Sequence, residues 1–245
     1  MSGKHQDYHW LSKFKLIFNA LFPRGCVLCG DPFIFTNQNI VCDDCLSKFK
    51  KIESFFCRSY GKSGENTYPI CEECKYDRKY SYIEAFTDYY EFGEILREYK
   101  FGKYKNLAYD IAKIIKEDYQ KFVRQNQVQN ILYIPVSNKK LKERGFNHLK
   151  EILTYIFPKY LLKDYLIKVK ETKLQVELNK TERFENLKDS FKLTVDKIDR
   201  NTLVFEDILA TGATLLEAYK TIKDKVNGNL CAYVITKVQN GLHRK

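Results

Sequence analysis

Apolar positions along the chain change rhythm twice. Across residues 8–22, Trp10, Phe14, Ile17 and Leu21 recur at three- and four-residue steps, which predicts an amphipathic helix. Pro23 and Gly25 end it. From residue 80 onward, short apolar runs alternate with helical periodicity. YSYIEAFTDYY (80–90) predicts an aromatic-rich strand, and GEILREYKFGKYKNLAYDIAKIIKEDYQKFV (93–123) predicts one or two amphipathic helices interrupted at Gly102. Then follow a strand NILYIP, a basic loop and helix, a strand YLIKVK, a polar stretch over 171–190, a strand TLVF, a helix over 213–226 and a strand LCAYVIT. Strands alternating with helices predict right-handed crossovers and a parallel sheet, hence an α/β domain over 79–245.

The intervening segment, 23–78, is short of apolar residues and rich in cysteine, which changes the picture. Of the 8 cysteines, 7 lie between residues 26 and 74. Cys26-Val-Leu-Cys29 and Cys42-Asp-Asp-Cys45 are two CxxC turns at zinc-ribbon spacing. Each presents two thiolates on one side of a knuckle, and two facing knuckles complete a four-sulfur shell for structural Zn²⁺. Disulfides are the alternative and need an oxidising compartment. Metal binding would supply folding energy that this segment cannot draw from a core of its own. Cys57, Cys71 and Cys74 would make a second ribbon if residue 60 were cysteine, but it is Tyr60. A possible second zinc with another fourth ligand and a metal-free remnant both stay open. Cys231, alone in an apolar run, is a buried strand residue.

Composition suits a globular protein, with 44% apolar and 30% charged residues. No stretch reaches the roughly 18 uninterrupted apolar residues of a membrane span. Lys13 and Lys15 interrupt what would be the apolar centre of a signal peptide, so a cytoplasmic location is expected. The formal charge of +11, from 42 Lys and Arg against 31 Asp and Glu, favours polyanionic partners such as nucleic acid, nucleotides or phosphorylated metabolites. A solvated Lys-rich surface explains it equally. The segment NKKLKERGFNHLK, with Arg144 and His148 at helical spacing, is a candidate phosphate-contacting patch, and Tyr99, Phe101 and Tyr104 interleave with lysines as candidates for base stacking.

The most specific chemistry lies in VFEDILATGATL (204–215). Backbone N–H groups of Ala210, Thr211, Gly212, Ala213 and Thr214 can surround one phosphate, with two hydroxyls and the positive end of the following helix adding to the site. The loop is neither a Walker A sequence nor GxGxxG. Glu206 and Asp207, leaving the strand at its end, can accept from two ribose hydroxyls. Ligands of open α/β sheets bind beyond the carboxyl ends of strands, where this stretch falls. A strand running into a solvated, capped turn is the plain alternative.

This stretch resembles the 5-phosphoribosyl-1-pyrophosphate (PRPP) motif of type I phosphoribosyltransferases. Over nearly the whole chain, LFPRGCVLCG, the paired knuckles, Leu96–Phe101 around Lys100, the IPVS loop at 134–137, Arg144-Gly145-Phe146-Asn147, Gln175, Arg183, Asn186 and Phe191 resemble the ComF competence family. The resemblance implies a type I phosphoribosyltransferase-like parallel sheet flanked by helices, over 79–245, with an N-terminal Cys-rich zinc ribbon over 23–78 preceded by the helix of 1–22. It implies that Glu206 and Asp207 hold the ribose, that 211–214 hold the 5-phosphate, and that Pro135, Val136 and Ser137 form a pyrophosphate loop, often with a non-proline cis peptide. Arg144 and Lys100 would neutralise pyrophosphate, and Gln175 and Arg183 would belong to a flexible cover. Mg²⁺ would arrive with PRPP, bound mostly by ligand oxygens and water. Implied partners are single-stranded DNA and competence or recombination proteins in natural transformation. An active transferase with unknown acceptor and a non-catalytic scaffold remain alternatives. Two departures stand out: Ala210 replaces an acid found in many purine-using relatives, and Glu206 replaces the family's usual Asp.

Overall fold

The computed structural model describes residues 24–33, 39–51, 56–62, 68–102, 104–172 and 180–238. The expected helix over 8–22 and Gln175 lie outside these residues. Arg24–Gly25 (β1) pairs antiparallel with Pro32–Phe33 (β2) beside the first knuckle, and two short helices, Asp43–Ser47 (α1) and Glu72–Tyr76 (α2), start just after Cys42 and Cys71 and carry Cys45 and Cys74.

Ile83–Asp88 (β3) opens the α/β part, followed by Tyr89–Phe101 (α3) and Leu107–Gln125 (α4). The aromatic run expected as one strand thus divides. Asp88 caps α3 by accepting from the Glu91 N–H at 3.0 Å, which turns the chain into a helix one residue before the tyrosine pair. Next come Asn130–Tyr133 (β4), Asn138–Arg144 (α5) and His148–Thr154 (α6). Leu166–Lys168 (β5) is followed by Lys180–Leu187 (α7) and Phe191–Leu193 (β6). Ile198–Asp199 (β7), Thr202–Leu209 (β8), Ala213–Ile222 (α8), Val226–Asn227 (β9) and Leu230–Lys237 (β10) complete the order.

The central sheet has four parallel strands in the order β3–β10–β8–β4. The expected strand YLIKVK does not join it: β5 pairs antiparallel with β6 as a separate hairpin. Both β8 and β10 are buried almost throughout, as parallel strands covered on two faces must be. Helix α4 lays Leu107, Ile111, Ile115, Tyr119 and Phe122 against the sheet at three- and four-residue intervals. Tyr119 stacks on Tyr233 at 4.4 Å and on Phe205 at 5.2 Å between ring centroids.

The ribbon segment is sewn onto this unit. The Ile40 N–H donates to the buried carboxylate of Asp110 on α4 at 3.0 Å, and the Ile83 N–H of β3 donates to the Arg58 carbonyl at 2.6 Å. Among the described residues, no helix is long and apolar enough to cross a membrane.

Candidate functional site

Strand lengths create the crevice. On one side β8 pairs with β10 as far as Leu209 and Lys237, but on the other β4 stops at Tyr133, opposite Phe205. The last backbone bond on that side runs from Ile134 N–H to the Phe205 carbonyl at 3.0 Å. Beyond it, β8 continues alone into Glu206 and Asp207 while the chain after β4 turns away through Pro135, Val136 and Ser137. The acids therefore lie inside the strand rather than past its end. Adjacent strand residues leave a sheet on opposite sides, so the two carboxylates meet different neighbours, although the charge of Lys100 reaches both.

Both are nearly sealed from solvent, Glu206 7% and Asp207 6% exposed, and their surroundings drive them apart electrically. Asp207 Oδ2 takes an ion pair from Lys100 Nζ on α3 and a hydrogen bond from His148 Nε2 on α6 at 3.0 Å. Burial works against its charge, but Lys100 and His148 outweigh it and hold the carboxyl well below the usual range. Among the described residues no ion pair reaches Glu206. Burial, aided by the charge of Asp207, pushes its carboxyl up to about 8, with Thr214, Lys100 and Lys168 pulling the other way. One acid is thus ionised and the other holds a proton at neutral pH.

A chain of polar contacts extends from Asp207. His148 Nδ1 accepts from Arg144 Nη1 at 2.7 Å, and Arg144 Nε donates to the Lys100 carbonyl at 3.1 Å. Arg144 and His148 thus act inside the crevice, on the α5–α6 junction. Burial lowers the imidazole to about 4 against the pull of Asp207, so the ring is neutral, with its Nε2 proton directed to Asp207. Tyr99, a candidate for base stacking, is fully buried and donates to the His148 carbonyl at 2.8 Å; Phe101 remains exposed.

Lys140 of α5 and Lys168 of β5 add two more cations. Burial and the neighbouring Arg144 and Lys100 depress Lys140, while burial followed by Lys140 brings Lys168 down to about 8. Lys168 Nζ donates to Thr172 at 2.8 Å. Lys100, Arg144 and Lys140 act on Asp207 and Lys168 on Glu206, and Glu171 offsets part of the positive charge at Lys140 and Lys168.

The loop after β8 turns at Gly212, whose φ of +83° is open to glycine at no steric cost, and α8 starts with Ala213. Its first amides have no partner within the helix. Thr211 Oγ1 accepts from the Ala213 N–H at 3.4 Å. Beneath, Lys237 at the end of β10 is wholly buried and donates to the carbonyls of Leu209 at 3.2 Å, Ala210 at 2.8 Å and Val238 at 2.9 Å. Burial brings this ammonium down to about 8, which leaves it charged at neutral pH.

Ser137 is buried and caps α5 by accepting from Lys140 N–H at 3.4 Å. Among the described residues the cis peptide bond is at Tyr68–Pro69, so the implied cis bond within 135–137 is trans here. Arg183 lies on α7.

Cys26, Cys29, Cys42 and Cys45 bring four sulfurs within 4.8 Å of one another. Cys29 and Cys42 lie 3.8 Å apart, the edge of a tetrahedron whose Zn–S bonds are about 2.3 Å. Cys26 Sγ accepts from the N–H groups of Cys42 at 3.4 Å and Leu28 at 3.5 Å, as a thiolate at a knuckle does. These residues fit structural zinc. Cys57, Cys71 and Cys74 form a buried group of three.

Residues 17–75 match the double zinc ribbon domain family. Competence protein ComFC of Streptococcus pneumoniae is 23% identical over 220 residues, covering 81% of this chain and 93% of that protein. Competence protein F of Haemophilus influenzae is 24% identical over 215 residues, covering 82% and 92%. A hypoxanthine phosphoribosyltransferase structure from Staphylococcus aureus overlaps 54% of this chain and 75% of its own, at 15% identity and a TM-score of 0.35, too loosely to bear on the site. The double-ribbon match, two relatives covered nearly end to end, and a cysteine-rich ribbon joined to a parallel α/β sheet make the chain ComFC-like.

Proposed function

We propose that the crevice at the end of β8 binds PRPP with Mg²⁺. One observation carries this reading: an ionised Asp207, a protonated Glu206 and the cations Lys100, Lys140, Arg144 and Lys168 converge beside the amide-lined turn at 210–214. The turn suits the 5-phosphate, the acids the ribose hydroxyls, and the cations a pyrophosphate group. Lys100 would leave Asp207 for the ligand as the ribose arrives. Mg²⁺ would supply charge neutralisation on the leaving pyrophosphate. Should the pocket turn over, cleavage at the ribose C1 would depend on these cations for stabilising the departing charge. Ala210 offers no acid to assist a purine acceptor, which favours another acceptor class or ligand binding alone.

We further propose a cytoplasmic role in natural transformation, on the strength of the two competence proteins to which the chain is similar, with single-stranded DNA as the polymer served. The excess of positive charge supports it. Thermal unfolding with and without PRPP and Mg²⁺ tests the ligand. Ligand at a hundred times its Kd should stabilise the chain by about 2.7 kcal/mol. An unchanged melting temperature at millimolar PRPP counts against the reading. Labelled oligonucleotide binding at low and high salt tests the polymer, a flat response counting against it.

A further inference from the structure

The second knuckle, Cys57-Arg58-Ser59-Tyr60, differs from the first at the position where a fourth thiol would stand. Cys57, Cys71 and Cys74 are 0, 4 and 3% exposed, and among the described residues no histidine or carboxylate joins their sulfurs. The three thiols that the described residues supply fall one ligand short of the closed tetrahedral shell of a structural zinc.

Other forces hold this knuckle. The Cys57 N–H donates to the Lys62 carbonyl at 3.0 Å, the Gly61 N–H to the Cys57 carbonyl at 2.8 Å, and the Arg58 N–H to the Pro69 carbonyl at 2.8 Å. The Cys71 N–H donates to Cys57 Sγ at 3.3 Å. The buried Arg58 guanidinium lies 4.4 Å over the Phe56 ring and 3.8 Å from Glu84 on β3. Ser59 ties the same turn forward, its carbonyl accepting from Tyr80 N–H at 3.0 Å and its hydroxyl from Lys79 N–H at 2.9 Å. These contacts fix the knuckle to the sheet without a metal.

Its tip meets the turn after β8. A Cβ on Gly212 would stand 2.8 Å from the Tyr60 carbonyl oxygen, and a Cβ on Gly61 would stand 2.8 Å from Leu209 Cδ1. Gly61 and Gly212 both take left-handed backbone, at φ of +81° and +83°, so two tight turns abut with no room for a side chain on either. Further on, the Tyr80 hydroxyl donates to the Leu215 carbonyl in the first turn of α8 at 2.8 Å.

We propose that the second ribbon carries no zinc and serves as the buttress of the turn at 209–212, so that Tyr60 and Gly61 position the pocket without touching its ligand. The knuckle keeps the ribbon's shape while Tyr60 removes the metal. The effect on ligand affinity rests on the PRPP reading above; the metal content and the order of the turn do not.

Zinc in the dialysed full chain should be one ion per chain, unchanged in Cys57→Ser, and Tyr60→Cys should raise it to two. Two ions in the natural chain, falling to one in Cys57→Ser, would overturn the metal-free assignment. Hydrogen exchange without ligand reads the buttress. Gly61→Ala should speed exchange of the amides at 210–214 at least tenfold while β10 and α4 keep their protection. Unchanged exchange at 210–214 overturns the positioning role. PRPP affinity should fall at least tenfold in the same variant. If the natural chain binds no PRPP, the ligand reading fails, and the exchange result still decides the buttress.

Discussion

Replacing Lys237 by methionine removes one buried charge and keeps most of the side chain's volume. In the native chain its ammonium donates to three carbonyls, those of Leu209, Ala210 and Val238, at 2.8–3.2 Å. Hydrogen bonds to a charged group contribute roughly 1.5–3 kcal/mol each, so three amount to about 4–9 kcal/mol. Against this stands the cost of burying the charge. The drop in pKa from 10.5 to about 8 corresponds to roughly 3 kcal/mol at 1.36 kcal/mol per pH unit. Lys237→Met should therefore destabilise the fold by about 1–6 kcal/mol, centred near 3. Urea unfolding at pH 7 measures it. The sign of a second signature follows from the depressed pKa. Between about pH 8 and 10.5 the unfolded chain binds more protons than the folded one, so native stability gains from this group as pH rises and loses it as pH falls through 8. That contribution should vanish in the variant. A loss below about 0.5 kcal/mol with an unchanged pH slope would refute the role of Lys237 as the anchor of the turn.

Lys100→Met leaves Asp207 as a buried charge with one hydrogen-bond partner, and should cost about 3–5 kcal/mol in urea unfolding at pH 7. His148 is held neutral by burial, with its pKa brought from 6.5 to about 4 beside Asp207, Lys100 and Arg144. The folded chain then binds fewer protons than the unfolded one between those values, so stability present above about pH 6.5 is lost toward pH 4, by on the order of 3 kcal/mol. Unfolding at pH 4.5 and 7 should show that slope flattened in His148→Gln. Removing zinc with a strong chelator should free Cys26, Cys29, Cys42 and Cys45 to thiol reagents and expose the Ile40 amide, which donates to the Asp110 carboxylate, to exchange, while β8 and β10 stay protected.

Periodicity and apolar runs were enough to place the sheet and its helices, because long buried strands and a 19-residue helix leave strong patterns. The fate of YLIKVK was not legible. Three paired residues in a side hairpin look like a sheet strand, since the partner at 191–193 is set by tertiary contacts. The acid pair and the glycine turn were visible as a motif. Their burial within β8 was not, because it depends on β4 ending four residues short of β8. Lys140 stood out only as part of the basic segment NKKLKERGFNHLK, and nothing marks Lys168 and Lys237 among 42 basic residues. Sequence spacing does not say which cations converge, although a lysine closing an otherwise apolar strand, as Lys237 does, is a usable signal. His148 was seen only as part of a basic patch, and its link between Arg144 and Asp207 needs the α5–α6 turn to fold it back into the crevice.

Titration calorimetry of the full chain with PRPP and Mg²⁺, repeated on the double variant Glu206→Gln/Asp207→Asn, is the most direct test of the pocket. One site per chain in the natural protein and at least a hundredfold weaker binding in the double variant is the predicted result. Absence of binding heat in the natural chain at several temperatures, or equal affinity in both proteins, would contradict it.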